Sequence, residues 1–183
     1  MRISLRNRIE LIVVVCASLL AVHCGGGGNG SSGPSLTSAW EKFEAGQYDA
    51  AIAEFADVVG DVSDAAHLAE GYCGLGWSYA FDDQLDAAAT SFASALNTGA
   101  ESVDAAAGAS AVALARGEHT DATSLAQAAL AIDPDWSFNH YPGIDWKDLR
   151  LILAQAYFGL GAASYDDAQA EVDILDPDNG LDP

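Results

Sequence analysis

Apolar residues fall into three regimes along this 183-residue chain. Residues 11–22 are an unbroken run of apolar or small side chains behind a start that carries Arg2, Arg6 and Arg8. Residues 25–35 read GGGGNGSSGPS, without one large apolar side chain. From residue 36 onward apolar positions recur every three or four residues, the spacing of helices with one buried face. That spacing predicts helices near 36–45, 48–59, 65–81, 85–97, 103–116, 120–132, 146–160 and 165–175. Gly46, Gly117 and Gly161 punctuate the turns, and Pro134 and Pro177 stop helices, since proline has no N–H to give and clashes with the turn before it.

The helical part repeats itself. The stretch from Gly46 through Tyr48, Asp49 and Ala51 to Phe55 is matched by Asp83 through Leu85, Asp86 and Ala88 to Phe92. Each is a turn, an apolar anchor, an acid, a small residue and an aromatic four places later. Weaker copies run from Gly117 through Ala122 to Ala126 and Ile132, and from Ser164 through Ala168 to Val172 and Leu175. The small anchors Ala51, Ala88, Ala122 and Ala168 lie 37, 34 and 46 residues apart. Tyr72, Leu75, Gly76, Tyr79, Ala88, Phe92 and Ala95 follow in order the signature of the tetratricopeptide repeat family, whose unit is about 34 residues. The chain resembles that family over residues 35–177, as about four units near 35–61, 65–98, 103–134 and 146–177. The resemblance implies an all-α fold, a superhelix of stacked antiparallel helix pairs. Val58 and Leu175 stand where the pattern has Ala, the third unit lacks the signature aromatics, and extra residues enter the fourth around 161–164.

In the family, the first helix of each unit lines an inner groove. By that resemblance the groove takes Trp40, Phe43 and Glu44 from unit one and Cys73, Trp77 and Phe81 from unit two. Ala111 and Leu114 follow from unit three, and Leu153, Tyr157 and Leu160 from unit four. Exposed rings bordered by Glu44, Glu70 and Asp82 would suit an extended peptide carrying Lys or Arg. The same rings are equally suited to packing between units. The segment 133–146 is a long connection rich in aromatics, with Trp136, Phe138, Tyr141 and Trp146. It has two readings, a plug for the gap that an oversized connection leaves and a contact for a partner. No capping helix follows Leu175, so the last helix is expected to offer an apolar stripe to a partner or to a second copy.

Charge removes one class of partner. The chain holds 27 acidic residues against 7 basic ones, a net charge of −20, which excludes a general nucleic-acid binder. Cleavage before Cys24 would take away three Arg and one Glu and leave 26 acidic against 4 basic residues. Such a body is repelled by anionic headgroups.

The start of the chain reads as an address. A basic opening and a 12-residue apolar stretch form a secretory signal over residues 1–23, shorter than the about 20 residues that span a bilayer. Leu20 to Cys24 resembles a bacterial lipoprotein signal, in which the Cys becomes the lipidated first residue. His23 departs from that pattern, and an ordinary cleaved signal with an incidental Cys24 is the other reading. The linker at 24–34 favours lipidation, because eleven Gly/Ser-type residues span roughly 18 Å and give a folded body slack above its anchor. The expected location is therefore the cell envelope, on the periplasmic face of the outer membrane.

Nothing in the sequence calls for catalysis or a cofactor. His23, His67, His119 and His140 share no metal-ligand spacing. Cys73 sits on a predicted helix as a small hydrophobe. Residues 25–28 follow no strand and precede no Lys-Ser/Thr, so they are not a phosphate loop. Asp176, Asp178, Asn179, Gly180 and Asp182 make half of a calcium loop, without its bidentate Glu; an acidic tail at 178–183 is the simpler reading. Two functions follow. One is a non-enzymatic scaffold that binds an envelope protein or peptide through the groove or the aromatic loop. The other is an envelope binder of a small ligand or cation.

Overall fold

A computed structural model describes residues 35–61 and 64–177; the signal-type segment, the linker with Cys24 and the acidic tail lie outside the described residues. Among the described residues there are eight α-helices: α1 Leu36–Glu44, α2 Tyr48–Asp61, α3 Ala65–Phe81, α4 Leu85–Leu96, α5 Val103–Arg116, α6 His119–Ile132, α7 Trp146–Leu160 and α8 Tyr165–Leu175. The bounds agree with the apolar spacing to within two residues. The inserted residues before α8 form a short 3-10 turn, Ala162–Ser164.

Local chemistry fixes where each helix starts and stops. Ser35, Asp64 and Ser102 accept hydrogen bonds from first-turn N–H groups of α1, α3 and α5, which would otherwise have no partner. At α7, Asp145 and Asp148 cap each other's backbone in a reciprocal box. The turn inside each of the first three units passes through the left-handed region at an equivalent place, at Gly46, Asp83 and Gly117. Asp83 is the non-glycine exception, with φ of 65°, a conformation that a short polar side chain tolerates.

The helices stack in pairs, α1/α2, α3/α4, α5/α6 and α7/α8, and each first helix also meets the first helix of the next pair. Close approach depends on small residues facing large rings. A Cβ placed on Gly74 would overlap the Phe55 ring, and one placed on Gly76 or Gly108 would overlap Phe92. Phe92 is thus clasped between Gly76 of its own unit and Gly108 of the next, and both Phe55 and Phe92 are fully buried. The small-residue signature is a set of sockets for these two rings. Polar ties add to this packing: Lys42 pairs with Glu54 across α1 and α2, Arg116 reaches Asp86 on α4 at 2.6 Å and Glu118 in its own turn at 2.9 Å, and Arg150 meets Glu171 across α7 and α8 at 2.9 Å.

Gly76→Ala is expected to push Phe92 out of its seat and to cost about 1–3 kcal/mol, read as a fall of several degrees in Tm. An unchanged melting temperature would mean that the clasp does not hold the second unit.

Candidate functional site

The connection between α6 and α7, residues 133–145, is built as an independent small structure. Asp133 accepts from the N–H of Asp135 at 3.1 Å, Phe138 N–H donates to the Ile144 carbonyl at 3.0 Å, and Trp146 N–H donates to the Trp136 carbonyl at 2.8 Å. Between those rungs, Tyr141 N–H reaches back to Phe138, and Ile144 N–H to Tyr141. These rungs give part of the loop's backbone partners within the loop, which eases its entry into the stack.

It enters the groove. Phe138 is fully buried, stacked on Trp77 at a centroid distance of 4.5 Å, and lies 6.0 Å from both Trp40 and Phe43. His140 lies flat on Trp40 at 3.7 Å, and its Nδ1 is 2.8 Å from the Glu44 carboxylate. Tyr141 packs on Phe81 at 5.2 Å. Trp136, buried, donates its indole N–H to Asp104 on α5 at 2.6 Å, while the Trp40 indole donates to Glu70 on α3 at 3.2 Å. Rings at these separations gain about 0.5–1.5 kcal/mol per pair beyond the area they bury.

The groove residues read from the sequence are brought together, but they are not open. Trp40, Phe43, Cys73, Trp77 and Phe81 are buried, and the expectation of exposed rings along units one and two is corrected. The chain's own Trp136, Phe138 and Tyr141 fill that slot, and the place beside Glu44 is taken by the His140 ring of the same chain. Trp146 is half-buried at the start of α7, with Lys147 above its ring, and Tyr157 accepts a hydrogen bond from Gln127 on α6 at 2.7 Å. Sequence reasoning missed Asp104 and His140 as members of the site, while Glu70, read as an acid at the groove border, holds the Trp40 indole. The available signal for Asp104 is a lone acid in the first turn of an alanine-rich helix.

Burial sets the chemistry of two ionisable groups at the seat, half-buried Asp104 and buried Cys73. The Asp104 carboxyl is pushed up from its ordinary value by desolvation, against the pull of the Trp136 N–H. The Cys73 thiol is pushed well up by desolvation and then by the Asp104 charge, the opposite of what a nucleophile needs. Among the described residues no group of three or more His, Cys, Asp or Glu is placed to hold a metal ion, and no helix is long and apolar enough to cross a membrane.

Beyond the filled groove, the last unit carries an open cleft of about 690 Å³. Its lining includes Leu114, His119, Leu151, Phe158, Tyr165 and Val172. Phe158 is 65% exposed and stacks on Tyr165 at 5.2 Å, and Leu160 and Ile174 are exposed nearby.

This arrangement defines a tetratricopeptide-repeat-like α-α superhelix with a self-filled groove and an open far end. Among solved structures, that of the MamA protein is similar, with a TM-score of 0.61 and 19% identity over 81% of this chain and 76% of that one. The likeness is one of fold. No family model and no curated protein matches the chain.

Phe138→Ala is expected to cost about 3–5 kcal/mol and to speed amide exchange in α1 as well as in residues 133–145. Exchange that changes in α7 and α8 alone would show that the ring does not hold the first unit. For Asp104 the sign follows from its raised folded value. Its contribution to the fold is complete only below the ordinary aspartate value, about 3.9, and is lost as pH rises through the folded value. Asp104→Asn keeps an acceptor for Trp136 without the charge. In urea melts it is expected to be at least as stable as the parent near neutral pH, with the difference closing toward pH about 4.

Proposed function

We propose that this protein is a non-enzymatic scaffold that holds a partner protein at the bacterial cell envelope. The observation that carries the reading is the superhelix whose last unit leaves an apolar cleft with two exposed aromatic rings, Phe158 and Tyr165, open to solvent. Exposed patches of that kind mark interaction surfaces. With the groove of units one and two occupied by residues 136–141, partner contact falls to the far end of the stack, and Trp40, Phe43, Trp77 and Phe81 serve to seat the loop.

Tethering is part of the same proposal. The basic start, the apolar run at 11–22 and Cys24 followed by a Gly/Ser linker support a secreted chain carrying acyl groups on Cys24, at the periplasmic face of the outer membrane. The strong negative charge keeps the folded body off anionic headgroups, so the linker sets its reach.

Cys24→Ser is expected to move the protein from the membrane to the soluble fraction with its far-ultraviolet circular dichroism unchanged. Retention in the membrane fraction would dismiss Cys24 as the anchor. Photocrosslinking in intact cells from positions around the stack tests the scaffold itself, which predicts a recurrent protein adduct.

A further inference from the structure

We propose that the cleft at the last unit receives an α-helix from a partner, apolar along one stripe and flanked by Lys or Arg, which docks where the first helix of a fifth unit would lie. The inference rests on the scaffold reading and names the partner's chemistry.

The continuity of the stack supplies the first argument. The surface of α3/α4 is covered by α5, and that of α5/α6 by α7; among the described residues nothing lies on α7/α8 in the same way. What this covering does is visible in unit two, where Cys73 is sealed beneath the start of α5, close to Ser102 and Asp104. In unit four, Leu151 and Phe158 on α7 and Tyr165 and Val172 on α8 form two apolar ridges with a cleft between them. Ridges of this kind take a third helix presenting side chains at i, i+3 or i+4, and i+7. The cleft volume of about 690 Å³ suits a few such anchors.

Charge selects the occupant. The α8 helix carries Asp166, Asp167, Glu171 and Asp173 and no basic residue. Arg150 on α7 is already engaged with Glu171 of this helix. A second copy of this chain would bring the same acidic helix to the two-fold contact, where like charges oppose each other. A helix with basic flanks places opposite charges around an apolar seat, so it is both attracted and oriented.

The test uses the mature chain without its lipid and three synthetic amphipathic peptides of equal length. One has a Leu/Ala stripe with Lys flanks, one has Glu for every Lys, and one has the Lys composition with a central Pro that breaks the helix. The Lys helix is expected to bind saturably, more weakly at higher salt, and to slow amide exchange in α7 and α8. Phe158→Asp alters an exposed ring, so Tm should hold while affinity falls by about tenfold or more. Equal binding of all three peptides, or binding indifferent to Phe158→Asp, overturns the proposal. So does a dimer in sedimentation that Phe158→Asp dissociates, because the occupant is then a second copy. If the peptides fail while photocrosslinking in cells still yields a recurrent adduct from other positions, the scaffold reading stands and this inference falls.

Discussion

One ring ties the two ends of the repeat array together. Phe138 comes from the connection before the last unit and is seated against Trp77, Trp40 and Phe43 of the first two. A stack of helix pairs has in general only nearest-neighbour interfaces, and its stability is then a sum of local terms. Here the His140 to Glu44 contact joins residues 96 apart in sequence. The first unit is therefore held by its own neighbour and by the segment that follows the third unit. Its short first helix, nine residues, gains most from this, since isolated helices of that length are marginal in water.

The seat also shows how polar groups are carried into an aromatic core. The Trp136 and Trp40 indoles find Asp104 and Glu70, so each ring buries its body and keeps its N–H satisfied. The Trp77 indole, by contrast, is buried beside the Cys73 thiol and meets no oxygen acceptor, so it relies on ring packing, above all the stacking of Phe138. The socket holds because several rings share it.

Much of the fold was legible in the residues. The 3-4 spacing marked all eight helices, and Gly76 opposite Phe92 marked the register, because an empty Cβ position and a large ring are complementary wherever two helices touch. The site was legible in its membership and not in its state. Trp40, Phe43, Trp77, Phe81, Trp136, Phe138 and Tyr141 could be singled out by type and position, yet spacing along one helix does not tell whether a ring faces water or a distant loop. The loop's destination depends on non-local packing, and only its own hydrogen-bonded rungs, unreadable from composition, free it to go there. Cys73 was legible as a buried thiol because its neighbours Tyr72 and Gly76 place it within a helix signature.

The loop has a consequence for how such a chain can change over generations. Solenoids ordinarily lengthen or shorten by gaining or losing a module in the middle, with the flanking modules indifferent to the count. In this chain a module added between the seat of Phe138 and the strap that carries it would carry the two apart, and one removed would crowd them. The number of modules upstream of the strap is thereby frozen by a clasp within the molecule. Variation is left to the side of the strap that carries α7 and α8.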